Sequence, residues 1–434
     1  MKRQQPHART RAHFVRSIVG AAVGLACVGA QAQLRPYYIT ASETIAYDSN
    51  LFRTSDDEDS DMYSTTSLIL GVDQPIGRQR VFASLGGHYT AYRDNDQLDG
   101  AGYDVGLGLD WEAASKLAGT ARLRFAESLP SFDNYGSQQG QDDERNEEQS
   151  KTADFSVQYG GAGILSLEGL ANYTKVDYSR NDFNNRERES HMFGAGVRYH
   201  PSGFWSFGLT GRRTNGEYPK FTSSTGQTSL SDDYDRTDLD LSATYVASGK
   251  SNFSMRLSKT DEDHERDEER DFDGWTGALS WRYRATGKLS LALGLTRETG
   301  SGSSFYTGTV VTDPDLPLPS NPSVSYLTDS TRTDTINLDA TWDATGRIGV
   351  SAGLSYSRDH FDDRFVGDEG SDSSGGSKGH SSSYFLSATY AITRVWSANC
   401  GVAYERRSSD TNVDGSDYGY GATNGHCTVT LALR

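Results

Sequence analysis

Apolar residues alternate with polar or small residues along most of this chain, and this period of two restricts the fold more than any other feature. The pattern is clear in residues 237–245, 289–295 and 335–343. Successive side chains of a β-strand point to opposite sides, so each such stretch predicts a strand with one apolar face. We therefore expect an all-β fold.

The alternating stretches are about ten residues long and are joined in turn by short turns and by longer hydrophilic loops. The short turns include Ile76-Gly77-Arg78, Thr286-Gly287-Lys288 and Thr345-Gly346-Arg347; the long loops include 54–61, 222–234 and 364–381. Glycine supplies the positive φ that tight hairpins need. About eight turns and nine loops would connect about 18 strands, an even number that places both termini on one side, as in outer-membrane barrels.

Composition favours a barrel over the alternatives. After residue 32, no apolar run approaches the roughly 20 residues of a transmembrane helix. Hydrophobic residues make up only 35% of the chain, which suits a barrel with lipid outside and water inside. The 17 Phe, 6 Trp and 24 Tyr argue against a disordered chain. The sequence predicts a transmembrane antiparallel up-and-down β-barrel of about 18 strands.

Residues 1–32 have the features of a cleaved signal peptide, which leaves residues 33–434 as a single barrel. An apolar stretch, 17–29, precedes the small-residue cleavage site Ala30-Gln31-Ala32. The bases before that stretch are Lys2, Arg3, Arg9, Arg11 and Arg16. Without this segment 37 Lys and Arg face 59 Asp and Glu, a formal charge of −22. Such a charge excludes a nucleic-acid partner.

Aromatic residues predict the orientation of the barrel. Five tryptophans lie on the apolar face close to short turns: Trp111, Trp205, Trp281, Trp342 and Trp396. Tyrosines are concentrated toward the opposite strand ends: Tyr47, Tyr63, Tyr89, Tyr103, Tyr173, Tyr306, Tyr356 and Tyr404. Two such rings are typical of barrels in a bilayer. We expect the barrel to lie in the outer membrane of a Gram-negative bacterium, with its termini and short turns in the periplasm and its acidic loops outside the cell.

The first strand breaks the pattern. Glu43 shares the apolar face with Ile39, Ala41, Ile45 and Tyr47, where a carboxylate would meet lipid. We therefore expect a bulge or a register change near Glu43.

The opposite faces of the strands predict a polar lumen with nearly balanced charges. The candidate lumen-lining residues are Arg122, Arg124, Arg198, Arg212, Arg256, Arg282, Asp110, Asp238, Asp240 and Asp339. Asp110 is expected diagonal to Arg122, and Asp240 diagonal to Arg256. Such pairs can brace the wall, at about 0.2–1 kcal/mol each, or form a polar path for a hydrated solute. We favour bracing for most pairs, and loops 134–149 and 307–331 are candidate plugs of the lumen.

No arrangement of residues indicates catalysis, and the histidines lack metal-ligand spacing. We therefore expect no enzyme activity, no metal and no cofactor. Cys400 and Cys427, the two cysteines after the signal peptide, lie on the apolar faces of the last two strands. In an oxidising compartment they can form a disulfide, or they can be two small apolar residues.

Three segments carry a resemblance to a known family: Ser42–Arg53 (SETIAYDSNLFR), Leu109-Asp110-Trp111 followed by Ala126–Leu129, and Arg145-Asn146-Glu147. They resemble outer-membrane barrels of the "putative β-barrel porin 2" family and, within it, the EpsL-type transporters associated with exosortase B and extracellular polysaccharide biosynthesis. The resemblance implies an outer-membrane exit for a polysaccharide, with export components in the inner membrane and periplasm as partners. The final residues, Leu-Ala-Leu-Arg, depart from the aromatic end that the barrel-assembly machinery usually reads.

These observations leave three hypotheses for function. The first is a conduit that exports an extracellular polysaccharide, as the resemblance implies. The second is a general or substrate-selective diffusion porin for small polar solutes. The third is a non-conducting barrel that serves as a surface receptor or adhesin. All three require outer-membrane lipid and the barrel-assembly machinery as partners.

Overall fold

The computed structural model describes residues 36–114, 116–130, 145–161, 163–221, 230–266, 270–299, 332–366, 372–409 and 419–433. These residues form β1 (Tyr37–Asp48), β2 (Asp61–Ile76), β3 (Gln79–Tyr92), β4 (Gly100–Ala113), β5 (Leu117–Ser128), β6 (Glu148–Tyr159), β7 (Leu165–Tyr178), β8 (Arg188–Ser202), β9 (Trp205–Phe221), β10 (Leu230–Ser248), β11 (Ser251–His264), β12 (Phe272–Arg284), β13 (Leu289–Glu298), β14 (Arg332–Asp343), β15 (Ile348–Val366), β16 (Asp372–Ala391), β17 (Trp396–Ser409) and β18 (Tyr420–Leu433). Two short 3-10 helices, Asp96–Leu98 and Asn181–Arg186, lie in loops. No helix in these ranges is long and apolar enough to cross a membrane. The predicted signal peptide, residues 1–32, lies outside the described residues.

Each strand pairs antiparallel with the next, and β1 pairs with β18 to close the sheet. The closing register runs without interruption from Ile39 opposite Leu433 to Asp48 opposite Asn424. Closure leaves no unpaired strand edge, which is what a β-structure in lipid requires. The predicted closed, antiparallel, up-and-down barrel of 18 strands is confirmed. The start of β1 and the end of β18 lie with the short turns, at what we call the short-turn end; the opposite end of the barrel is the long-loop end.

The strands are longer than the ten residues expected from the apolar pattern, with lengths from 10 to 20 residues. The loops predicted at 222–234 and 364–381 are therefore shorter, because β10 already begins at Leu230 and β15 continues to Val366. Backbone pairing does not depend on an apolar face, so strands continue beyond the bilayer, where both faces are polar. Apolar periodicity therefore underestimates strand length.

The outer surface carries the predicted aromatic rings. All five tryptophans of the predicted girdle face outward near the short-turn end. Two of them stack on aromatic neighbours: the Trp205 and Tyr245 rings are 4.1 Å apart, and those of Phe253 and Trp281 are 5.9 Å apart. Exposed tyrosines near the long-loop end are Tyr47, Tyr89, Tyr103, Tyr356 and Tyr404. Tyr63 was wrongly assigned to this ring: it pairs with Tyr92 and faces the lumen. Tyr306 lies outside the described residues.

The bulge predicted at Glu43 is absent. Glu43 lies opposite Thr66 of β2 and Val429 of β18, and neither pairing shifts register along the strand. The carboxylate therefore faces lipid, where it accepts a 2.5 Å hydrogen bond from the Thr66 hydroxyl. A one-residue slip would turn all the remaining side chains of β1 to the wrong face. The free-energy cost of such a slip exceeds that of one carboxylate that faces lipid with a single hydrogen-bond partner. In the described barrel, no other ionisable side chain has apolar outward-facing neighbours on both sides along its strand.

Replacing Glu43 by leucine is expected to stabilise the barrel in lipid by about 1–2 kcal/mol, because a charge near mid-bilayer opposes insertion. Reversible urea unfolding in lipid vesicles measures this change. Glu127→Leu is the matched control, since Glu127 also faces outward but lies at the long-loop end, bonded to Gln149; its effect should stay within about 0.5 kcal/mol. Destabilisation by Glu43→Leu would contradict exposure of this carboxylate to lipid.

Cys400 and Cys427 lie directly opposite each other on β17 and β18, and a disulfide joins them. Both face outward, beside Ala388 of β16 and Ile45 of β1. The bond therefore links the two last strands next to the seam at which the barrel closes.

Candidate functional site on the lumen wall

The inward-facing charges form two groups with different exposure. On β9 to β11 most of them are buried and bonded to one another, whereas on β2 to β8 many are exposed or line a cavity. The alternation in the sequence predicts that these side chains face inward, but it does not distinguish buried from exposed ones. Their division into two groups determines what the lumen can do.

The buried arginine cluster consists of Arg212, Arg236, Arg256, Asp238, Asp240 and Glu262. Arg212 donates two hydrogen bonds to Asp240, at 2.5 and 3.0 Å. Arg256 lies diagonal to Asp240, with Nη1 3.7 Å from its carboxylate. Asp240 also accepts a hydrogen bond from Ser258. The predicted diagonal pair is therefore one edge of a larger network.

Arg236 occupies the centre of the other half of this cluster. It donates to both oxygens of Asp238, at 2.9 and 3.1 Å, and to Glu262 at 3.2 Å. Thr260 donates to the same Asp238 carboxylate at 2.6 Å. Paired, hydrogen-bonded charges of this kind are tolerated in a buried environment, so the cluster braces the wall and does not line open water.

His264 extends the network toward the long-loop end. Here the outward face of β11 changes from Leu257 to the charged Lys259 and Asp261, so His264 lies beyond the membrane-spanning part of the strand. Its ring nitrogens are 2.8 Å from Asp232 and 3.2 Å from Glu262. Burial lowers the pKa of His264, but the two carboxylates outweigh burial and raise this pKa above its ordinary value.

The exposed group includes four of the predicted lumen residues. Arg122 Nη2 lies 3.4 Å from Asp110, the diagonal partner expected from the sequence. Arg124 lies 2.7 Å from Asp104, and Arg198 forms a two-point pair with Glu168 on the neighbouring strand. Exposed pairs contribute little to stability. They are therefore free to serve contacts with a solute.

A concave cavity of about 620 Å³ lies on this part of the wall, near the short-turn end. Its charged lining residues are Arg78, Arg80, Arg198, Asp110, Glu112 and Glu168. Arg78 lies 3.5 Å from Glu112, and Arg80 lies 3.6 Å from Asp110. Arg80 also forms a shorter, two-point pair with Asp73 of β2, beside the cavity. With the Arg198–Glu168 pair, each cation of the cavity has an anion as its partner.

Two predicted lumen residues, Arg282 and Asp339, face inward but form no ion pair within the described chain. Conversely, the sequence interpretation missed Arg236, Arg80 and Phe82. Arg236 lies one residue before the alternating stretch 237–245, so an underestimated strand length concealed it. Arg80 and Phe82 follow the turn at Gly77 and occupy inward-facing positions of β3. The alternation along this strand would have been sufficient to identify both. The candidate plugs, 134–149 and 307–331, lie almost wholly outside the described residues.

Residues 38–202, which contain β1 to β8, match the family model described as "Putative beta-barrel porin 2". The open cavity lies within this matching segment. No curated protein matches the chain.

Among solved structures, the chain is similar to Pseudomonas aeruginosa OccK2 (OpdF) in complex with glucuronate, at 13% identity and a TM-score of 0.46, over 92% of this chain and 97% of that one. It is also similar to P. aeruginosa OpdK with vanillate, at 12% identity and a TM-score of 0.46, over 92% and 99%. The siderophore receptor PirA from Acinetobacter baumannii gives 7% identity and a TM-score of 0.43, over 93% and 81%.

Proposed function

We propose that this protein is an outer-membrane diffusion porin that passes small hydrophilic solutes across the outer membrane of a Gram-negative bacterium. The observation that carries the proposal is the wall of exposed, ion-paired side chains and the open cavity on β2 to β8. Barrels of 16 to 18 strands are wide enough for an aqueous channel. The family match over β1 to β8 supports the same function.

Polysaccharide export, the first hypothesis from the sequence, receives no particular support from the described residues. The ion pairs near the short-turn end line a cavity of small-molecule size. The porin alternative therefore accounts better for the lumen and for the family match.

Channel activity is tested by inserting the purified, folded protein into planar lipid bilayers. We expect a steady, stepwise conductance in potassium chloride, because the exposed wall leaves a hydrated path. Strand circular dichroism and a heat-dependent shift in gel mobility establish that the sample is folded. A folded barrel that carries no steady current would contradict the porin and favour the non-conducting receptor.

The proposed orientation places the short-turn end in the periplasm, as the tryptophan ring near that end supports. Glu58→Cys lies in an exposed long loop, and Gly287→Cys lies in a short turn with open space around it. A membrane-impermeant maleimide applied to intact cells should label the first variant and not the second. After lysis both should react, and the reverse pattern in intact cells would overturn the orientation.

A further inference from the structure

We infer that the cavity on the lumen wall is a binding site for neutral polyhydroxylated solutes, of which a neutral monosaccharide is the simplest example. This inference rests on the proposed porin function and adds the class of solute that the channel prefers. The site is formed by the three ion pairs of the cavity, its hydroxyl and amide groups, and the neighbouring ring of Phe82.

Charge balance is the first argument. Three guanidinium groups and three carboxylates line the cavity and form three pairs. Two neighbouring groups, Asp73 beside Arg80 and Arg122 beside Asp110, add one charge of each sign, so the balance is kept. An anionic solute that bonds to an arginine comes close to the carboxylate already paired with that arginine, and the repulsion between the two negative charges offsets the attraction. A cationic solute has the same difficulty with the arginines. Neither charge sign therefore gains a net partner here.

Hydroxyl groups avoid this penalty. A guanidinium has five N–H donors and a carboxylate has about four acceptor positions, so each retains unused capacity when paired. In the Arg198–Glu168 pair, Nε and Nη2 donate to the carboxylate, which leaves Nη1 for another acceptor. A hydroxyl can accept from the arginine and donate to the carboxylate without breaking the pair. Thr120, Ser156 and Gln158 add further polar groups to the same lining.

Phe82 supplies an apolar surface beside these pairs. It faces inward opposite Gly108, and a Cβ at position 108 would lie 2.0 Å from the ring. The missing side chain lets the ring lie against the wall. Arg80 and Arg122 lie 5.4 and 5.8 Å from its centroid. Because sugar rings present C–H groups on one face and hydroxyls at the edge, a flat aromatic surface bordered by hydrogen-bonding groups matches both.

The test compares three solutes that share one ring and differ in charge: glucose, glucuronate and glucosamine. Each is titrated into a bilayer chamber that holds a conducting channel, and the half-blocking concentration of the saturable current block is measured. We expect glucose to block at the lowest concentration. Phe82→Ala should raise the half-blocking concentration of glucose by about two- to tenfold. Glu168→Gln, which leaves Arg198 without a charged partner, should shift the preference toward glucuronate.

Phe385→Ala is the matched control. Phe385 also faces inward and lies against a glycine, Gly353. It belongs to β16, however, whereas Phe82 lies beside Arg80 of the cavity lining. Its removal should leave the glucose block unchanged. Equal block by all three solutes, stronger block by a charged one in the unmodified protein, or no effect of Phe82→Ala would overturn the inference. In each of these cases the conductance persists and the porin function stands, whereas a folded barrel without conductance would refute that function itself.

Discussion

Replacing Asp240 by asparagine is expected to destabilise the barrel by about 3–5 kcal/mol, because the change removes a negative charge from a buried network. Arg212 then keeps only Asp238, at 3.5 Å, as a charged partner. The side chains of Arg212 and Asp240 are only 4% and 7% exposed. Asparagine keeps the size of aspartate but loses the negative charge and one acceptor of the two-point pair. Reversible denaturant unfolding in detergent micelles or vesicles, followed by circular dichroism, measures the change.

Asp104→Asn provides the control, because it makes the same substitution in an exposed pair. Its partner Arg124 is 68% exposed and Asp104 itself is 43% exposed. Water and salt screen this pair, so the loss should stay below about 1 kcal/mol. Equal losses at the two positions would show that the buried arginine cluster does not brace the wall. A double-mutant cycle with Arg212→Met should show a coupling of at least about 1 kcal/mol with Asp240→Asn.

Removing the disulfide is expected to cost about 3–4 kcal/mol of stability in the chain-entropy description. Cys400 and Cys427 are separated by 27 residues, and the bond holds β17 and β18 together in the unfolded chain. The variant with both cysteines changed to alanine should unfold at lower denaturant concentration than the oxidised protein.

Reductant gives the internal control for this prediction. The reduced protein should match the double alanine variant, and the variant itself should not respond to reductant. The mature protein, denatured without reductant, should not react with a maleimide, since both cysteines of the barrel are bonded. Free thiol reactivity under those conditions would show that the two cysteines are only small apolar residues on the lipid face.

Much of the lumen wall could be predicted from single strands. The alternation identified the inward face of Arg122, Arg198 and Asp240 correctly, because the direction of a side chain depends only on its position within its own strand. Its exposure depends on neighbouring strands. Asp240 and Asp110 have the same alternation in the sequence, yet Asp240 is buried among three basic or hydroxyl partners, and Asp110 borders an open cavity.

Glu43 also shows that the pattern within one strand does not predict the effect of neighbouring strands. Its position on the apolar face was read correctly, but the expected bulge was wrong. Whether a bulge forms depends on the stability that uninterrupted pairing with both neighbouring strands provides. The neighbours of β1 are β2 and β18. In the sequence, β18 is separated from β1 by almost the whole chain.

By itself the sequence determined the strands, their two faces, their number and the closed barrel, since these follow from a period of two and from turn residues that act locally. Only the tertiary structure decided which charges are buried, that the Phe82 ring occupies the space beside Gly108, and that Cys400 lies opposite Cys427. Those properties arise from register and closure, which relate residues on different strands. The pattern within a single strand does not determine which residues of other strands lie opposite it.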